Sequence, residues 1–160
     1  MNSIFLFPIL LPMVIAVVAG AAVPFQAASN AALGRALGHP LWATLVSLAV
    51  SMIVLFPMLL ATRVPAPNLS TAAQGPWWLW FGGVAGVAYV TAALVLTPTL
   101  GAANFIVSVI AGQMVASLLI DHFGLMGLAS KPIGLWRIVG VMLILVGMLV
   151  VQVSSDVIRR

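Results

Sequence analysis

Hydrophobic residues occupy five long stretches of the chain, separated by short segments that hold most of the glycine, proline and charged residues. A membrane core of about 30 Å is crossed by about 20 apolar residues in an α-helix. Each stretch is long enough, and we predict membrane-spanning helices at residues 10–33, 41–61, 77–96, 102–120 and 133–153. The pattern therefore predicts an all-α, polytopic membrane protein with one transmembrane domain over residues 1–160.

The first apolar region is longer than one straight span requires, and it contains Pro8, Pro12 and Pro24. A proline removes a backbone hydrogen bond and clashes with the preceding turn of a helix. We therefore expect this region to bend, break or lie partly on the membrane surface, with a kink just before Gln26.

The composition leaves no alternative to a membrane environment. Hydrophobic residues make up 64% of the chain and charged residues only 5%, whereas a soluble domain is roughly a quarter charged. The six basic residues form no cluster, so no nucleic-acid partner is expected. Cysteine and glutamate are absent, which leaves no ordinary set of metal ligands. We therefore predict neither an enzyme nor a cofactor.

The basic residues suggest how the chain inserts. An odd number of spans puts the termini on opposite sides of the membrane. The basic residues divide three against three: Arg63, Lys131 and Arg137 on the N-terminal side, and Arg35, Arg159 and Arg160 on the other. Because an excess of Lys and Arg on the cytoplasmic side normally sets orientation, this balance predicts insertion both ways up. Without the two tail arginines the count is three to one, which favours one orientation with the N-terminus inside.

Dual insertion would allow two copies to pair antiparallel, which reproduces the inverted-repeat plan of many secondary transporters. The lipid bilayer and a second copy of the chain are therefore the first partners that the sequence predicts.

Polar side chains inside the spans are few, and each is costly in hydrocarbon unless it has a partner or contacts water. Gln26 and Asn30 lie four residues apart on one face of the first span. The only tyrosine, Tyr89, lies near the middle of the third span. Asn104 and Gln113 lie on opposite faces of the fourth span, which we therefore expect to be central. We predict that these five residues line a pore or a pocket.

Small residues recur on the same helices and have a simpler interpretation. For Gly82, Gly86, Ser108 and Gly112 we favour close packing between helices. Isolated amides also hold spans together, typically by less than about 2 kcal/mol each. That alternative remains open for the five predicted lining residues.

Charged residues are missing from the middle of every span. A buried carboxylate that alternately binds a proton and a cation is therefore not available, which argues against proton-coupled cation export. Asp121 and His122 lie at the end of the fourth span, where we favour a solvated helix end for His122. Asp121 is predicted as a gate or rim residue that can pair with Arg35 of an antiparallel copy.

Several segments together resemble a known family: VPFQAASNAALGRALGHPLWATLVS, GGVAGVAYVTAALVLTPTLGAANF, VIAGQMVASLLIDHFGL and GLWRIVGVMLILVGMLV. They are similar to the five-span YdcZ-like branch of the drug/metabolite transporter superfamily, which is related to the EamA-like half-transporters. The residues that carry the resemblance are Gln26, Asn30, Gly101, Gly112-Gln113, Asp121-His122-Phe123-Gly124, Arg137 and Gly140.

The resemblance implies a bacterial inner-membrane protein that supplies half of a ten-helix, inverted-repeat transporter. An antiparallel copy or a paired homologue would supply the other half. In relatives with two fused halves the first, third and fourth spans line the path, which favours the five residues chosen above. The first-span glutamate of the small multidrug resistance exporters is missing here, which again argues against cation coupling.

We therefore expect a secondary transporter of a small neutral or zwitterionic metabolite, working by alternating access as an antiparallel, dual-topology homodimer. One alternative is a dual-topology channel for a small solute or ion. Another is a non-transporting membrane subunit that requires a homologous partner chain.

Overall fold

A computed structural model describes the backbone of residues 7–158 and the side chains of residues 10–155. It shows that the protein is all-α. Six α-helices follow one another: α1 (Phe7–Ala36), α2 (Pro40–Ala61), α3 (Leu69–Gln74), α4 (Phe81–Leu100), α5 (Ala102–Phe123) and α6 (Leu135–Ile158). Single turns of 3-10 helix precede α4 at Trp77–Trp80 and follow α5 at Leu125–Gly127. All of these helices except the short α3 correspond to the predicted spans.

Five helices in the described part of the chain are long and apolar enough to cross a membrane. Their bounds are Leu10–Ala36, Pro40–Ala61, Trp77–Leu100, Ala102–Phe123 and Leu135–Ser155. Large apolar side chains face outwards all along them; Met52 and Ile53, for example, are 71% and 69% exposed. Only hydrocarbon suits such a surface, so the predicted fold class, a polytopic all-α membrane protein, is confirmed.

The connection between α1 and α2 is short because both helix ends are capped locally. His39 is the residue before α2, and its Nδ1 accepts a hydrogen bond of 3.2 Å from the backbone N–H of Leu41. Pro40 occupies the first turn, where the missing N–H of proline costs nothing. The two helices therefore run antiparallel as neighbours.

The α4–α5 connection is shorter than the sequence indicated. We expected helix α4 to end near Leu96 and a five-residue connection to follow, but the helix continues through Pro98 to Leu100. Only Gly101 separates the two helices, with φ of 84°. One backbone bond lost to a proline in the last turn is tolerated, since the residues after it still bond normally. Gly101 N–H donates to the carbonyl of Thr97 at 2.9 Å.

Helix α1 runs without interruption past both Pro12 and Pro24. Its 30 residues make a helix of about 45 Å, longer than a membrane core. The break considered for this region is therefore absent from the described part of α1.

The helices α1, α2 and α4 pack on one another, α5 packs on α1 and α4, and α6 packs on α5. Helix α5 thus has protein on more than one side, as the amides on its two faces predict. Buried side chains are concentrated at one end of this arrangement: Ala27, Asn30, Ala31, Ala43, Thr44, Val90, Ala93, Leu94, Thr97 and Phe105. We call this end, marked by Ala36, Pro40 and Leu100, the closed end.

The opposite end, marked by Ala61, Phe81 and Phe123, is loosely packed, and we call it the open end. Residues 10–22 of α1 and 48–61 of α2 are exposed along their whole length, on every face of the helix. The helices therefore separate from one another as they approach the open end.

Charges fall at the helix ends, as expected. Arg63, Lys131 and Arg137 lie at the open end, and Arg35 lies at the closed end. Arg159 and Arg160, which complete the predicted balance, lie outside the described residues.

Candidate functional site

Three of the five predicted lining residues come together between α1 and α4. Gln26 and Asn30 of α1 and Tyr89 of α4 line one cleft, whose apolar wall includes Val90 and Ala93. The cleft has a volume of about 10 Å³, which is about the space that one water molecule needs. A single chain therefore gathers these polar groups without enclosing a substrate-sized cavity around them.

Asn30 is held by a neighbouring helix. Its Nδ2 donates a hydrogen bond of 3.0 Å to Oγ of Ser47 on α2, and the side chain is only 9% exposed. A second polar contact lies nearby, where the hydroxyls of Thr44 on α2 and Thr91 on α4 are 3.1 Å apart. Sequence reasoning missed Ser47 and Thr44, because a hydroxyl in a helix can equally well bond its own backbone.

Asn104 lies in a different contact, between α5 and α6. Its Oδ1 accepts a hydrogen bond of 3.0 Å from Oγ of Ser155, and its Nδ2 donates to the carbonyl of Leu100. One turn further on, Oγ of Ser108 accepts a hydrogen bond of 2.8 Å from Nε2 of Gln152. We call these four side chains, Asn104, Ser108, Gln152 and Ser155, the polar seam.

Gln152 and Ser155 were not predicted as functional residues. The signal for them was present, since they lie three residues apart on one face of the last helix. Gln152 is also the only amide in the last predicted span.

Gln113 stands apart from these contacts. Its side chain is exposed and has no hydrogen-bond partner among the described residues. It lies four residues after Val109 and seven after Ile106, so it continues the helix face that packs against the core of α1 and α4. At the level of Gln113 that core has ended, because the helices have separated towards the open end. Gln113 therefore faces the space between α5 and the pair α1 and α4.

Four glycines continue the helix faces that form this core, each three or seven residues along its own helix from Ala27, Tyr89 or Phe105. A Cβ atom added at Gly20, Gly82, Gly86 or Gly112 would meet no atom within 4 Å. Among the described residues no neighbouring helix lies against Gly82, Gly86 or Gly112, so the packing role predicted for them stays a prediction, which a second copy of the chain could fulfil. We call the space bordered by Gln26, Gln113 and these four glycines the open groove.

Asp121 forms an ion pair within its own chain. Its Oδ2 lies 3.1 Å from Nη1 of Arg137 on α6, and the two side chains are 35% and 45% exposed. Arg35 lies at the opposite, closed end, so it can approach Asp121 only from another copy of the chain. The predicted contact between Asp121 and Arg35 therefore competes with an ion pair that already exists.

The end of α5 is fixed by its backbone and by the following loop. Gly124 ends the helix with φ of 59°, the backbone N–H of Lys131 donates to the carbonyl of Asp121 at 2.7 Å, and Oγ of Ser130 donates to the carbonyl of His122 at 2.8 Å. The ring of His122 is exposed and packs edge-on against Phe123.

No group of three or more His, Cys, Asp or Glu side chains in the described part of the chain lies close enough to hold an ion.

Five helices that are long and apolar enough to span a membrane, with large apolar side chains on their outer faces and charges at the helix ends, define a polytopic α-helical membrane protein. A family model described as "Putative inner membrane exporter, YdcZ" matches residues 11–150. The chain therefore belongs to the YdcZ family, as the sequence resemblance predicted, and it is a membrane transporter by that membership. No curated protein and no solved structure matches it.

Proposed function

We propose that the chain is one half of a secondary transporter. Two copies form an antiparallel homodimer that moves a small neutral or zwitterionic metabolite by alternating access. The observation that carries this proposal is that Gln26 and Gln113 are exposed on the open groove without a hydrogen-bond partner among the described residues.

An amide in contact with lipid is costly, because hydrocarbon offers it neither a donor nor an acceptor. Gln26 and Gln113 are stable in a membrane only if water, a ligand or another protein surface meets them. A second copy placed over the open groove supplies such a surface and encloses a polar cavity. This explains why the single chain has amides but no substrate-sized cavity around them.

The charge distribution supports an antiparallel pair. The six basic residues are balanced between the two sides, which removes the usual preference for one orientation. In an antiparallel pair the closed end of one copy lies beside the open end of the other. An exchange of conformation between the copies then changes the side of the membrane to which the cavity opens, which is alternating access.

The chemistry of the groove favours a substrate without net charge. An amide both donates and accepts hydrogen bonds, so Gln26 and Gln113 can bind a hydroxyl, an amide or the two charged groups of a zwitterion. The described spans hold no acidic or basic side chain at mid-depth that would balance a net charge.

Transport is tested with the full chain in proteoliposomes, using radiolabelled glycine, alanine, serine and glutamine and a small polyol as probes. We expect saturable uptake of at least one probe, together with exchange of labelled for unlabelled probe across the membrane. Gln113→Leu should lower this uptake by about tenfold, as the loss of one strong hydrogen bond to substrate does. Gln74→Leu, the same replacement on α3 outside the groove, should leave it unchanged.

Other results would contradict the proposal. Flux that does not saturate, or a single-channel conductance, would identify a channel. Uptake that appears only when a homologous chain is added would identify a subunit of a heteromeric transporter. Equal effects of Gln113→Leu and Gln74→Leu would remove the open groove from the pathway.

A further inference from the structure

A second cavity lies between α5 and α6, towards the open end. Its volume is about 270 Å³, close to the lower end of the range of ligand pockets, about 300–1,000 Å³. Apolar side chains form most of its wall, among them Met114, Leu118 and Ile144. Nothing in the proposed transport cycle uses this space.

The two ends of the cavity differ in chemistry. Asp121 and Arg137 line it at the open end of the bundle. Met114 precedes Asp121 by seven residues and Ile144 follows Arg137 by seven, so the apolar part reaches about 10 Å further into the membrane. The cavity is thus an apolar slot with one positive and one negative group where it meets the membrane surface.

The ion pair has capacity for further hydrogen bonds. The 3.1 Å contact uses one guanidinium nitrogen of Arg137 and one carboxylate oxygen of Asp121. The other guanidinium nitrogens and the second carboxylate oxygen have no partner among the described residues, and both side chains are partly exposed. A ligand with both an anionic and a cationic group can therefore bind to both residues at once.

We propose that this cavity binds a phospholipid whose headgroup carries both a phosphate and a primary ammonium. One acyl chain fills the apolar slot, the phosphate accepts hydrogen bonds from Arg137, and the ammonium donates to Asp121. Arginine binds phosphate oxygens through paired N–H groups. The carboxylate accepts from an N–H donor, which a quaternary ammonium lacks. The charges at the mouth and the apolar slot behind it together match this class of lipid.

The site is tested on the purified full chain in detergent, titrated with lipids of identical acyl chains and followed by native mass spectrometry. Phosphatidylethanolamine carries both groups, phosphatidylcholine has no ammonium N–H, and phosphatidylglycerol has no cation. We expect phosphatidylethanolamine to bind about tenfold more tightly than either of the others, as one charge-assisted hydrogen bond provides. Equal binding of all three lipids would overturn the proposal.

Two matched pairs of variants locate the binding. Gly140 lines the cavity and Gly147 lies two turns further along α6, outside it, and a Cβ at either position meets no atom within 4 Å. Gly140→Leu should abolish the preference for phosphatidylethanolamine, whereas Gly147→Leu should keep it; equal behaviour of the two would overturn the site.

Arg137→Gln and Arg63→Gln form the second pair, with one arginine in the cavity and the other at the same end of the bundle but outside it. Loss of the preference only in Arg137→Gln supports the site. A preference retained in Arg137→Gln overturns it, even if Gly140→Leu does not fold.

Discussion

Gln26 and Asn30 are both amides and lie one turn apart on α1, yet their surroundings differ. Asn30 is buried and bonded to Ser47 on the neighbouring helix, whereas Gln26 is exposed on the open groove. Asn30 therefore contributes to the fold, and Gln26 is available to a ligand. Their substitution should separate the two roles.

Asn30→Leu is expected to lower the stability of the purified protein by about 0.6 kcal/mol, the average measured for hydrogen bonds between helices of a membrane protein. Thermal unfolding in detergent, followed by tryptophan fluorescence, measures this. Gln26→Leu should leave the unfolding temperature unchanged and reduce transport instead. A larger loss of stability in Gln26→Leu than in Asn30→Leu would contradict this division.

Gly124 is constrained both by its backbone and by its neighbours. Its φ is 59°, and a Cβ there would lie 3.0 Å from the carbonyl oxygen of Leu128. The left-handed conformation alone costs an L-residue roughly 1–2 kcal/mol. Gly124→Ala should therefore lower the unfolding temperature, whereas Gly134→Ala, in the same loop with open space around it, should not. Equal unfolding temperatures of the two variants would contradict the left-handed conformation and close contacts of Gly124.

At the scale of helices, α6 depends on one neighbour. It packs on α5, and the polar seam joins the two helices near the closed end. In hydrocarbon such bonds are retained because no water is present to form hydrogen bonds with an unpaired amide. The seam thus favours the rotation of α6 about its own axis that brings Gln152 and Ser155 to α5.

A double-mutant cycle measures that coupling. Ser108→Ala and Gln152→Leu should each destabilise the protein, and the pair should cost less than the sum by about 0.6 kcal/mol. Stability against unfolding in a graded detergent mixture is the measurement. Ser108→Ala combined with Ser154→Ala, an exposed serine of α6, is the control and should be additive. Additivity in the first pair would mean that the seam carries no coupling.

At the scale of the whole molecule, the number of positive charges at each end decides orientation. Reporters active only in the cytoplasm or only outside it, fused in turn to the C-terminus, are expected to give signal from both at native expression. Gln74→Arg adds a charge at the open end and should shift the signal towards orientations with that end in the cytoplasm. Gln74→Asn is the neutral control. Signal from a single reporter in the unaltered chain would exclude the self-paired dimer.

The sequence predicted the five spans because hydropathy is a property of about 20 consecutive residues and needs no knowledge of neighbours. It could not predict which amides find partners within the chain. That depends on how each helix is rotated and which helix lies beside it, as the different surroundings of Asn104 and Gln113 show. The ion pair of Asp121 with Arg137 was missed for the same reason, since 16 residues and a loop separate them.

Gly101 has a mechanical consequence for the proposed transport cycle. It is the only residue between α4 and α5, and its positive φ is one that glycine adopts without strain. Gly101 thus joins α1, α2 and α4 to the pair α5–α6 at the closed end, where the proposed change of conformation between these two groups of helices would be centred. Small changes of the backbone angles at Gly101 would therefore tilt α5 and α6 together, and Gln113, twelve residues from Gly101, would move farther than Asn104, three residues from it.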